Sequence, residues 1–152
     1  MKLKTFLAGY GIKKVSDFAG ISCQSSQTLR NWLKSDTKRQ VVKCCALAYH
    51  YRLANGQPVN QEFDSKGFDG LNDYLESEGM DMATLESTSN QSYQTLSNWF
   101  LNPKKSCLIG VILDAVKWIK VKGDTNPHDR EMKRFELERV VKDRKSFKGK
   151  YY

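Results

Sequence analysis

No apolar run in the 152-residue chain approaches the roughly 18 residues that a membrane-spanning helix needs, so no membrane segment is expected. Histidine is scarce: only His50 and His128 occur, and neither completes a ligand spacing with the four cysteines, so no metal is expected. No glycine-rich phosphate loop follows a strand, the acidic residues form no metal-binding set, and no residue sits in a recognisable nucleophile setting. The expectation is a protein with no catalytic residue and no cofactor. A transposase or recombinase would need a separate catalytic domain, for which no chain is left over. The opening stretch MKLKTFLAGYG is too short and too soon interrupted for a signal peptide, which predicts a soluble, cytoplasmic protein. The 39% hydrophobic content suffices for one or two small compact cores but not for one large core.

What is present is a repeat. QSSQTLRNW, residues 24 to 32, recurs as QSYQTLSNW, residues 91 to 99, with seven of nine positions identical at an offset of 67. The same offset pairs Lys38 with Lys105, Val41 with Leu108, Val42 with Ile109, Cys44 with Val111, Cys45 with Ile112 and Ala48 with Ala115. Toward the N-terminus the offset becomes 68 and sets Leu3, Phe6, Leu7, Gly11 and Ile12 against Leu71, Tyr74, Leu75, Gly79 and Met80. The chain is therefore read as one module of about fifty residues used twice. Because valine and isoleucine take the places of Cys44 and Cys45 in the second copy, these cysteines behave as small hydrophobes. Cys23 and Cys107 are isolated in sequence. All four are expected to be free thiols in a reducing compartment.

Apolar spacing predicts an all-α fold. In the first copy Leu3, Phe6 and Leu7 share a helical face, with Gly9 and Gly11 as a stop. A second helix runs from about Lys14 through Ala19 and breaks between Gly20 and Ser25. Ser25 then caps a third helix to about Lys34, in which Leu29 and Trp32 point inward while Ser26, Gln27, Arg30 and Asn31 share the outer face. A fourth helix spans roughly 38 to 54 and buries Val41, Val42, Cys45, Ala48 and Tyr49. The second copy predicts helices near 70 to 77, 81 to 88, 92 to 101 and 105 to 121. There Asn90 stands at the turn, where positive φ is best tolerated, Ser92 is the cap, and Leu96 and Trp99 point inward. Tyr93, Gln94, Ser97 and Asn98 face out.

This pattern resembles the helix-turn-helix of phage and mobile-element regulators of the Cro and repressor type, in which a turn residue precedes a polar recognition helix held by two buried anchors. Asn90 and Cys23 match the turn place, Ala19 the small residue of the supporting helix, and Leu96 and Trp99 the anchors. The resemblance covers about 100 of the 152 residues. It implies two repeated four-helix helix-turn-helix modules, at 1–56 and 69–122, joined by a linker at 57–68 and followed by a C-terminal helix and basic tail at 123–152. It also implies a double-stranded DNA partner, a role in transcriptional regulation, as repressor or activator, and a nucleoid-associated location.

An α-helix fits the major groove, and amides and guanidinium groups pair bidentately with base edges. The expected base-reading residues are Ser26, Gln27, Arg30 and Asn31 with Tyr93, Gln94, Ser97 and Asn98. Gln and Asn suit adenine, and Arg30 suits guanine. Ser25, Lys34, Lys38 and Arg39 with Ser92, Lys104 and Lys105 stand beside these helices as expected phosphate contacts. Two modules in one chain could serve two half-sites roughly 34 Å apart without dimerisation. The differing outer faces predict that these half-sites are unlike.

Charge is uneven. Residues 1–56 carry +8, residues 57–121 carry −4 and residues 122–152 carry +4. Residues 54 to 70 are turn-rich and acidic, and are expected to have limited order. A last helix is predicted from about 127 to 145, with Asn126 as cap, Pro127 at its first position and Asp129 in its first turn. It is a candidate for packing on the second module, for a homodimer or protein-partner contact, or for laying its basic tail along phosphates. Two other functions fit the same sequence. One is a phage-type interaction protein that reuses the fold through its acidic second copy. The other is an RNA-binding protein, although the clustered exposed aromatics that stack single-stranded bases are lacking.

Overall fold

The computed structural model describes residues 2–122, and the helix expected at 127–145 lies outside the described residues. Eight helices and no strand occur among the described residues: α1 (Leu3–Gly9), α2 (Val15–Ser22), α3 (Ser26–Leu33), α4 (Arg39–Ala54), α5 (Leu71–Ser77), α6 (Met82–Ser89), α7 (Tyr93–Leu101) and α8 (Ser106–Lys122). No helix among them is long and apolar enough to cross a membrane.

Local chemistry explains where the helices start and stop. The Ser25 and Ser92 hydroxyls accept the backbone N–H of Thr28 and Thr95 at 3.1 and 3.2 Å, and the Asp81 carboxylate accepts that of Thr84 at 2.7 Å. Those bonds to Thr84 hold the Asp81 carboxyl below its ordinary value. Cys23 and Asn90 end α2 and α6 in the left-handed conformation, at φ 57° in both cases. Ser22 and Ser89, both fully buried, fix these corners. Each hydroxyl donates back to its own helix, to Ala19 O at 3.0 Å and Leu85 O at 2.7 Å, and accepts the N–H of Gln24 or Gln91. The break expected between Gly20 and Ser25 falls at Cys23. α2 continues to Ser22, and the missing side chain of Gly20 makes room for the Asn60 amide, which sits where a Cβ would be.

The largest helix–helix contact is α4 against α8. Sequence periodicity assigned α4 one buried side, but Cys44, Ala46 and Leu47 are fully buried as well. A helix apolar nearly all round is a covered helix. Small Cys and Ala side chains let α4 lie between α2 and α3 on one flank and α8 on the other. α8 is buried in the same manner through Cys107–Ile109, Val111–Val116 and Trp118. Within this contact Arg52 Nε donates to Asp114 at 2.6 Å and Arg52 Nη1 to Val59 O at 2.7 Å, so the buried guanidinium is paired and bonded. The stretch between α4 and α5, expected to have limited order, is held by its aromatics. Phe63 meets Tyr74 and Phe100 at ring distances of 5.2 and 5.8 Å, and Phe68 meets Tyr74 at 6.3 Å.

Candidate nucleic-acid interface

α2 and α6 each end in a left-handed residue, pass through two further residues and enter a capped helix, α3 or α7. In the helices that follow, Leu29 and Leu96 are fully buried. Gln27, Arg30 and Asn31 on α3 are exposed, as are Tyr93, Gln94 and Asn98 on α7. The outward amides are linked one turn apart: Gln27 Nε2 donates to Asn31 Oδ1 at 3.1 Å, and Gln94 Nε2 to Asn98 Oδ1 at 3.2 Å. Each linked pair still offers a glutamine carbonyl and an asparagine N–H2 outward. The Tyr93 hydroxyl accepts from Asn72 Nδ2 at 3.3 Å.

Two of the expected outward residues are placed otherwise. Ser26 is half-buried. Ser97, the counterpart of Arg30, has its hydroxyl sealed from solvent and is not positioned to reach a base edge.

The expected phosphate contacts divide by geometry. Lys34 and Lys104 are exposed, and Ser25 and Ser92 are helix caps at the same surface. Arg39 is bonded to Asp36 at 3.2 Å and to Leu33 O at 3.1 Å. Lys38 and Lys105 turn inward instead. Lys38 Nζ donates to Gln91 Oε1 at 2.7 Å and lies 5.1 Å from the Trp99 ring centroid. Lys105 Nζ approaches Gln24 Oε1 at 3.4 Å and lies 5.1 Å from that of Trp32. Burial, with the Lys105 charge second, lowers the pKa of Lys38 from the ordinary lysine value.

Between these lysines Trp32 and Trp99 stack, their centroids 5.8 Å apart and their planes 9° from parallel. Gln24 Nε2 donates to Lys104 O at 2.8 Å, and Gln91 Nε2 donates to Thr37 O. Every member has its counterpart at the 67-residue offset, so the contact is reciprocal: what the first half does to the second, the second does to the first. Sequence reasoning found Trp32 and Trp99 as inward but not what they face. It missed Gln24 and Gln91 altogether, although their identity in both copies was the available signal. The stack brings α3 and α7 together through Trp32 and Trp99.

Two of the four cysteines expected to be free thiols, Cys23 and Cys107, are not. Cys23 and Cys107 are paired as a disulfide, with Cα atoms 6.7 Å apart across 84 residues, which joins the α2–α3 corner to the start of α8. Cys44 and Cys45 are buried in α4, and burial pushes the Cys45 thiol up to about 12. Among the described residues no group of three or more His, Cys, Asp and Glu could hold a metal ion. No protein-family model, curated protein or solved structure matches the chain.

Proposed function

We propose that the chain is a sequence-specific, double-stranded DNA-binding regulator, made of two repeated four-helix helix-turn-helix modules clasped into a fixed pair. The observation that carries this reading is the linked Gln–Asn pair standing outward on a capped helix directly after a left-handed corner, twice in one chain. An exposed carbonyl beside an exposed N–H2 complements the N6 donor and N7 acceptor of adenine, and Arg30 can fork onto guanine. Such contacts each discriminate by about 1–3 kcal/mol. Lys34, on the same exposed surface, would hold phosphates and set register without reading sequence.

A mobility-shift titration against duplex DNA, single-stranded RNA and duplex RNA, at several salt concentrations, tests the reading. Salt-dependent retardation of duplex DNA is expected. Retardation of RNA alone, or of nothing, rejects it. Arg30→Ala should cost about tenfold on the preferred site and much less on random duplex, whereas Lys34→Ala should weaken both alike. Equal losses across sequences for both variants would remove Arg30 from base reading.

One observation favours a second reading. On α7, Tyr93 is 44% exposed and Leu101 67% exposed beside the acidic α5, which suits a basic protein partner better than a polyanion.

A further inference from the structure

The two outward helices stand in different electrostatic settings. The N-terminal segment and α3 enclose an open groove of about 640 Å³ lined by Lys2, Leu3, Lys4, Gln27, Arg30 and Lys34. Its four cations are exposed, and no acid stands on its walls. A cleft of one sign of charge focuses its field and concentrates a polyanion there.

At the repeat offsets, the same four places in the second half hold Gly70, Asn72, Ser97 and Leu101. All four charges are gone. Asn72 is bonded to the Tyr93 hydroxyl, the Ser97 hydroxyl is sealed from solvent, and Leu101 is an exposed aliphatic. Asp69, Asp73 and Glu76 stand exposed in or beside α5, where the first half has no acid in or beside α1. The glutamine, Gln27 or Gln94, is the one polar lining residue common to both.

We propose that the groove between the N-terminal segment and α3 is the phosphodiester-binding site of this molecule, and that the face of α7 takes no part in holding DNA. This rests on the duplex-binding reading and narrows it to one side of the clasped pair. The backbone of one strand runs past Lys2, Lys4 and Lys34 while Gln27, Arg30 and Asn31 meet the base edges. α7 remains as the structural twin that supplies Trp99 to the stack.

The test has two measurements on the full-length protein with a fluorescein-labelled duplex of mixed sequence. The first is the slope of log affinity against log salt by anisotropy. Each phosphate neutralised contributes about −0.9 to that slope, so Lys4→Ala/Lys34→Ala should flatten it by about 2. The second follows the side-chain amide resonances of Gln27, Asn31, Gln94 and Asn98 as duplex is added. Shifts at Gln27 and Asn31 with none at Gln94 and Asn98 are expected.

Comparable shifts at all four amides would overturn the one-sided site while leaving duplex binding intact. So would an unchanged slope in the double variant. Absence of binding by the wild-type protein at every salt concentration would overturn duplex binding itself, and the groove assignment with it.

Discussion

At the scale of single residues, the most informative side chain is Gln91. It is only 6% exposed, receives Lys38 Nζ on its carbonyl oxygen, and shares the two hydrogens of its N–H2 among Thr37 O, Ser89 O and Asn90 O. Truncation would leave a lysine and a carbonyl in the clasp without their partner, which for a buried group costs about 1–3 kcal/mol. Gln91→Ala should therefore lower the urea midpoint markedly. Gln24→Ala should do so less, because the Gln24–Lys105 contact is longer, at 3.4 Å, and Gln24 is only half-buried. Equal effects would mean that the two ends of the clasp carry equal weight. The sequence made the anchors Leu29 and Leu96 and the corners Cys23 and Asn90 legible, because apolar spacing and turn chemistry are local. The partner of a half-exposed tryptophan is not local: periodicity shows which face is apolar and not what covers it. Ser97 was misplaced for the same reason, since its position on the helix matched that of Arg30 while its surroundings differed.

At the scale of the helix, capping is where chemistry and pH meet. Asp81 caps α6, and its bonds to Thr84 depress its pKa in the folded state. A depressed carboxyl contributes stability that is fully present above the unfolded value of about 3.9 and is lost as pH falls through the lower folded value. Glu78, held down by Lys66 at 2.8 Å, acts in the same direction. Asp81→Asn retains a side-chain oxygen for the cap but cannot ionise. Its urea midpoint should fall less between pH 5 and pH 2 than that of the wild type, and an identical fall in both would contradict the role given to the carboxylate. Helix existence and order were readable from the apolar spacing, and the starts of α3 and α7 from their serine caps. The burial of α4 on both sides was not, because alanine and cysteine are ambiguous on a single face and are decided by the approach of α8. The buried Arg52–Asp114 pair lay equally beyond the sequence, since its partners are 62 residues apart and fall outside the repeated positions.

At the scale of the molecule, the halves are joined three times over, by the α4–α8 core, by the glutamine–lysine–tryptophan clasp, and by Cys23–Cys107. Closing a loop of 84 residues removes chain entropy worth about 4.5 kcal/mol in the loop-closure account. Cys107→Ser, or a reductant, should therefore lower the melting temperature. The native protein should label at neither Cys23 nor Cys107 with a thiol reagent until reduced, and labelling of both without reductant would refute the pairing. The sequence concealed this bond because neither cysteine has a cysteine counterpart in the other copy, so the repeat that exposed the rest of the design gave no hint of it. Overall charge was a better guide. Four of the ten cations in the first fifty-six residues line one groove, and Asp69, Asp73 and Glu76 of the second half stand in or beside α5.

Covalent continuity between the halves also bears on dosage. Proteins that must find a twin before acting lose their working form when copies are few, and their occupancy of a target rises more steeply than their abundance. Here the tether between α4 and α5 keeps the two halves at an effective concentration on the order of millimolar, whatever the abundance of the chain. The pairing of its halves is thus the same at scarcity as at plenty.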